Sequence, residues 1–391
     1  MRDNKLVVAQ IGCGAFARSQ HLPNITARKD LYLKYCCDVN LESAKSASAA
    51  FGAEFAVTDY HEAINDREVD FISVATPHDL HLPIIRAAAA KGIHVFCEKP
   101  MAMEIPEAWE IIRAVKHGNI KLCVDLNRRM APSMHALKRQ VAAQQADPQH
   151  SPWRYIEVTR EQFPEETRTN LLVRVQDESS SYRMIHMDPA HGGGSIIGES
   201  VHWLDLACWF FAPQVPVEIN AWGSTRMSHG INLTFSGGDS ATIIFDVCGT
   251  FDYPKEMFEV TSNAALFRNM FFVENRYYGI PGAENEVFPL QRDGYKTEVP
   301  AEGFDAFMKK CDLQHQQAGS NIKFAGKELV VDKGHVAMLD GFVNAIRNNT
   351  PSPCDEYAGM QATLLAKLAI ESIRLKRALP VLQEEWLPGI M

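Results

Sequence analysis

The sequence predicts an α/β domain built on a parallel sheet, followed by an α+β domain with an open, mainly antiparallel sheet. Three observations carry that reading. Short apolar runs alternate with helical stretches over residues 1–127. A glycine cluster follows the first run directly, and beyond Met130 the runs become longer and rich in β-branched and aromatic residues. A chain of 391 residues suits two domains, placed at 1–127 and 128–391.

In chain order, Leu6–Ile11 reads as a strand, with room for one helix before the strand Tyr32–Cys37. Helices at Leu41–Phe51, Tyr60–Asn65, Leu82–Lys91 and Pro106–His117 then alternate with strands at Phe55–Val57, Phe71–Ala75, His94–Cys97 and Lys121–Asp125. This alternation argues for right-handed crossovers and helices on both faces of the sheet. In the second domain a helix runs to Gln145, and strands are expected at Trp153–Thr159, Val217–Trp222, Ile231–Phe235 and Ala241–Val247. Gly237-Gly238-Asp239 marks a hairpin, the polar stretch Glu165–Ser181 a surface loop, and Ile196–Phe211 a helix. A last helix pair, His335–Arg347 and Tyr357–Lys376, is split by Pro351-Ser352-Pro353.

The 39 basic and 48 acidic residues give a net charge of -9, so no positive field exists to hold nucleic acid or an anionic membrane. Every apolar run is too short to span a bilayer. Arg2, Lys5 and the run Leu6–Ala17 imitate a secretory signal, but Asp3 dilutes its charge and Gly12 and Gly14 interrupt its helix. Nine cysteines without a C-x-x-C pair read as free thiols of a cytoplasmic protein. The histidines and cysteines lack metal-ligand spacing, so no metal is expected.

Four constellations carry chemistry. Gly12-Cys13-Gly14-Ala15-Phe16-Ala17 lies at the mouth of the first helix. Gly12 permits the tight turn, Gly14 lets backbone approach a pyrophosphate, and Ala17 allows close helix–strand packing. Asp38 ends the second strand, where a carboxylate would bind a ribose diol and repel a 2′-phosphate, favouring NAD over NADP. Thr76-Pro77 with His81, and Glu98-Lys99-Pro100, follow the fourth and fifth strands, where α/β sheets bind ligands. A lysine beside a cationic nicotinamide has its ammonium disfavoured and can exchange a proton with a hydroxyl. Taken alone, it reads more often as a solvated strand-end residue. In the second domain Ile197, Val201, Leu204 and Cys208 form one apolar helix stripe, with His202 and Asp205 on the adjoining face. Such a histidine is ordinarily a satisfied core residue.

The ordered set G-x-G-x-x-A, A-T-P-x-x-x-H, C-E-K-P, N-R-R and G-G-G…H-x-x-D resembles the glucose-fructose oxidoreductase, inositol dehydrogenase and rhizopine-catabolism (Gfo/Idh/MocA) family over nearly the whole chain. The resemblance implies a Rossmann domain followed by an open sheet that forms homo-oligomer contacts. It implies NAD as cofactor and oxidation of a secondary hydroxyl of a sugar, glycoside or cyclic polyol, with His202 as acid/base, Lys99 on the reacting hydroxyl, and a cis Lys99-Pro100 bond. Cofactor contacts would come from Gly12, Gly14, Ala15, Phe16, Ala17, Asp38, Thr76, Pro77, His81, Glu98, Lys99 and Asn127. Substrate contacts would come from Arg128, Asp188, Glu199, Trp203 and Asp205, with Trp153, Phe163, Tyr182 and Trp209 as further stacking faces. Many family members carry an aspartate four residues before the histidine, where this chain has Gly198, with Glu199 beside it. Two other outcomes stay open: a glycosidase or lyase that retains NAD for transient oxidation, and a non-catalytic NAD-binding regulator.

Overall fold

The computed structural model of the chain describes residues 4–146, 168–177, 184, 187–250, 253–292, 297–299, 302–318 and 330–385. The first strand, β1 (Leu6–Ile11), is apolar and buried along its whole length, as a strand covered on both faces must be. It lies within a six-stranded sheet with β2 (Leu31–Cys37), β3 (Phe55–Val57), β4 (Phe71–Val74), β5 (His94–Cys97) and β6 (Leu122–Val124), in the order β3-β2-β1-β4-β5-β6. All of its pairings are parallel. The crossovers are α1 (Leu22–Ala27), α2 (Leu41–Phe51), α3 (Tyr60–Ile64), α4 (His81–Ala89) and α5 (Ile105–Gly118). Strand order reverses between β1 and β4, which opens a crevice at the carboxyl ends of the strands.

The second domain begins with α6 (Pro132–Ala146) and continues through β7 (Asn170–Gln176), α7 (Val201–Phe211), β8 (Pro216–Gly223), β9 (His229–Phe235) and β10 (Ser240–Asp246). Next come β11 (Glu256–Ser262), β12 (Ala265–Met270), β13 (Glu274–Tyr278) and β14 (Glu286–Val287). With β18 (Leu379–Pro380) these strands form a nine-stranded sheet in the order β14-β13-β12-β11-β7-β10-β9-β8-β18. One pairing, β7 with β10, is parallel, and the rest are antiparallel. A small sheet joins β15 (Leu290–Arg292), β16 (Thr297–Val299) and β17 (Val330–Val331), beside α8 (Phe304–Ala318).

The loop expected at Glu165–Ser181 is corrected, because its middle is β7, a central strand of the second sheet. Leu171, Val173 and Val175 alternate inward and are fully buried, a half-buried strand pattern that the polar flanks hide in the sequence. The expected strand Trp153–Thr159 lies outside the described residues. The helix expected at Ile196–Phe211 divides into a π-helical turn, Ile196–Ser200, and α7.

The C-terminal helices α9 (His335–Asn348) and α10 (Glu356–Leu375) return to the first domain. Phe342 of α9 is fully buried, with its ring 5.4 Å from Phe71 and 5.6 Å from Phe96 on β4 and β5. The far end of the chain therefore completes the core of the first sheet. Phe342→Ala should destabilise the whole molecule by about 3–5 kcal/mol, the usual cost of emptying a buried aromatic site. Urea unfolding checks this, and a loss below about 1 kcal/mol would show that α9 lies outside that core.

Candidate active site

The site starts at the glycine loop after β1. Gly12 has φ +86°, and a Cβ there would lie 2.3 Å from the carbonyl oxygen of Ala75, so the turn against β4 admits only glycine. Gly14 faces open space, with no heavy atom within 4 Å of its notional Cβ, and the chain is helical from Ala15 to Ala27. Backbone amides and a helix start thus flank a cradle suited to phosphate. Ala17 is buried, as close packing requires. Asp38 accepts the Cys13 amide on Oδ2 and the Asn40 amide on Oδ1, both at 2.9 Å, so its carboxylate is fixed at the rim. The buried hydroxyl of Thr76 has no partner among the described residues. These features fit an extended dinucleotide.

Two of the expected cofactor residues are hydrogen-bonded within the chain itself. His81 is fully buried, and burial lowers its pKa. Its Nδ1 donates to Pro100 O at 2.8 Å, while Nε2 lies 3.3 Å from Thr76 O. It ties the β4 and β5 loops together. Asn127 is also fully buried; its amide donates to Lys333 O at 2.8 Å and its carbonyl accepts from Arg128 at 2.9 Å. The Lys99-Pro100 bond is cis. Glu98 sits in a buried cluster with His21 and Asp125, its Oε1 2.8 Å from His21 Nε2, and Asp125 in turn lies 3.1 Å from His335 Nδ1. Burial alone would lower the pKa of His21, but the hydrogen bond and charge of Glu98 raise it.

The turn before α7 brings the second domain to this edge. The buried Lys99 ammonium meets the Gly198 carbonyl and lies 3.1 Å from Glu199 Oε1. A carboxylate therefore does approach the lysine, one residue beyond the glycine. Glu199 Oε2 accepts from Lys255 at 2.8 Å, and Lys255 pairs with Asp177 at 3.0 Å. One turn on, His202 is buried with Nε2 3.0 Å from Arg128 Nη1 and with Nδ1 unpartnered among the described residues. Burial, then the charges of Arg128 and Lys99, hold its pKa well below the ordinary histidine value. The ring is neutral, the form that accepts a proton. Arg128 is gripped by Glu256 through Nε at 3.1 Å and Nη2 at 3.0 Å. Burial would raise the pKa of Glu256, but Arg128 and Lys333 outweigh it and hold the carboxyl well below the usual range. Lys333, 2.6 Å from Glu256, is lowered to about 8 by burial.

Three of the expected substrate residues are engaged by the chain's own groups. Trp203 is a core residue at 0% exposure, its indole N–H given to Glu256 at 3.1 Å. Asp205 is buried in an ion pair with Arg129, which also donates to Pro353 O, so it anchors α7. Asp188 stands half-exposed on a loop, paired with His191 at 2.6 Å. Trp209 packs against Lys138 and His135, while Trp153, Phe163 and Tyr182 lie outside the described residues. Sequence reasoning missed His21, Asp125, Asp177, Lys255, Glu256, Lys333 and His335. None stands in a motif; the one signal was charge at the ends of apolar strands.

His229 secures the π-helical turn from behind. Its Nε2 lies 2.8 Å from Ser200 Oγ and its Nδ1 2.8 Å from Met227 O, and burial lowers its pKa to about 4. The unfolded chain binds this proton near pH 6.5 and the folded chain only near 4, so stability falls as pH drops through that window. His229→Gln should flatten the fall between pH 7 and pH 5 by about 2 kcal/mol, read by urea unfolding at both pH values. Equal slopes in both proteins would mean that His229 takes up its proton normally.

Residues 6–126 match the family model described as an oxidoreductase family with an NAD-binding Rossmann fold. The uncharacterised oxidoreductase YrbE of Bacillus subtilis (strain 168) is 24% identical over 382 residues, 94% of each chain. D-glucoside 3-dehydrogenase of Escherichia coli (strain K12) is 30% identical over 141 residues, covering 36% of this chain and 40% of that one. Among solved structures, the WlbA dehydrogenase of Bordetella pertussis, in complex with NADH and UDP-GlcNAcA, superimposes with a TM-score of 0.70 at 18% identity, covering 98% of this chain and 99% of that one.

Proposed function

We propose that this chain, whose residues 6–126 match the Gfo/Idh/MocA family of NAD-binding oxidoreductases, oxidises a secondary hydroxyl of a sugar, glycoside or cyclic polyol to a ketone. The observation that carries this reading is the meeting of Lys99, from the end of β5, with the turn that leads into His202. Gly12, Gly14, Asp38 and Thr76 would hold the dinucleotide. When bound, NAD supplies the hydride acceptor.

The chain's own groups handle the proton. His202, kept neutral by burial and by its cationic neighbours, takes the hydroxyl proton on a ring nitrogen. Lys99 donates a hydrogen bond to the same oxygen and steadies the negative charge that develops as the C–H bond breaks. Glu199 and the Gly198 carbonyl hold the ammonium in place, and Lys255 keeps Glu199 turned toward it. The relative acting on a D-glucoside supports a glycoside as substrate.

The test is a screen of D-glucose, methyl and aryl glucosides and myo-inositol with NAD, following NADH absorbance. Lys99→Ala and His202→Ala should each lower kcat by about 10²- to 10⁴-fold with NAD binding largely retained. No NADH from any of these substrates, or near-normal turnover in His202→Ala, would sink the proposal. A separate expectation is preference for NAD over NADP, relaxed in Asp38→Ser, because the fixed carboxylate repels a 2′-phosphate. Equal kcat/KM with both cofactors in the unaltered enzyme would contradict it.

A further inference from the structure

Two charged residues in sequence, Lys255 and Glu256, stand where β11 begins at the open end of the second sheet. Successive side chains leave a strand on opposite sides, and these two reach different halves of the site. Lys255 serves Glu199 and, through it, Lys99. Glu256 serves Arg128 and, through it, His202.

We propose that Glu256 is a positioning residue that sets the tautomer of His202, with the proton on Nδ1 and the lone pair on Nε2. The inference rests on the reading of His202 as the acid/base. A guanidinium can only donate, so its 3.0 Å contact requires a lone pair at Nε2. The usual device for fixing a histidine tautomer is an acceptor on the other ring nitrogen. Here Nδ1 is buried and has no partner among the described residues, so that device is missing. Selection falls to Arg128, and the direction of Arg128 is set by Glu256. Two parallel hydrogen bonds lock the guanidinium plane, which aims the remaining nitrogen at the imidazole. Glu256 is itself fixed, fully buried beneath Lys333 at 2.6 Å and the Trp203 indole at 3.1 Å. The other charged or titratable groups bearing on the ring are Lys99, Glu199 and His335, none of which has a hydrogen bond to it. A substrate hydroxyl that takes the place of Nη1 at Nε2 finds the proton-accepting nitrogen already presented, while Nη1 keeps its bond to Asn127 Oδ1 at 2.9 Å.

The experiment is a long-range 1H–15N correlation spectrum of the full chain labelled with 15N-histidine, the His202 signals being those lost in His202→Gln. In the unaltered protein His202 should be neutral with the proton on Nδ1 throughout pH 6 to 8. Glu256→Gln, or Arg128→Met should that variant fail to fold, should lose this single pattern and gain the Nε2–H form. Lys255→Met, altered at the neighbouring position, should keep it. A proton on Nε2 in the unaltered protein overturns the inference, as does an unchanged tautomer in both Glu256→Gln and Arg128→Met, or the same change in Lys255→Met. None of these readings needs turnover, so a failed sugar screen would refute the proposed reaction and leave the tautomer result standing.

Discussion

The bidentate pair between Arg128 and Glu256 joins the end of the first sheet to the start of β11 in the second, and the geometry of the site depends on it. Both groups are buried, and a buried charge survives only with its partner and with its remaining hydrogen-bonding positions filled. The pair is therefore a geometric demand: the Asn127-Arg128-Arg129 segment that follows the first sheet and the sheet of the second domain must meet in one register. When they do, Lys99 meets the turn before α7, and His202 meets Arg128.

The same demand accounts for the density of charge around a site meant to move a single proton. Lys99, Glu199, Lys255 and Asp177 form one chain of ion pairs, and Arg128, Glu256 and Lys333 form another. Each carboxylate at a branch point is shared by two cations. In a low-dielectric interior burial, together with the positive charge of Arg128 and Lys99, disfavours the imidazolium and keeps the His202 ring in the form with a free lone pair. The missing aspartate at Gly198 fits this picture. Glu199 approaches Lys99 from the next position, held by Lys255, and the glycine contributes its carbonyl.

Wherever local pattern and final structure share a cause, the elements were legible. The buried strands of the first sheet are continuous apolar runs because both faces are covered, and their bounds agree with the reading within a residue or two. β7 was hidden because its apolar residues, Leu171, Leu172, Val173 and Val175, are few and are flanked by polar residues on both sides, which diluted the signal. The burial of Trp203 and Asp205 was hidden for a related reason. A helix packed on all sides gives no amphipathic contrast, so its core and its site-facing residues look alike.

The sequence by itself determined the parallel α/β domain, the glycine loop with Asp38, and the candidacy of Lys99 and His202, because each depends on residues close together in the chain or on an ordered set of short motifs. Only the tertiary structure decided that Glu199 faces Lys99, that Asp205 anchors α7 beside Arg129, that α9 completes the first domain's core, and that Lys255 and Glu256 split to serve the two halves of the site. Those outcomes depend on contacts between residues as distant in the chain as Phe71 and Phe342, and the free energy of burying such rings or pairing buried charges exists only once the sheets have brought them together.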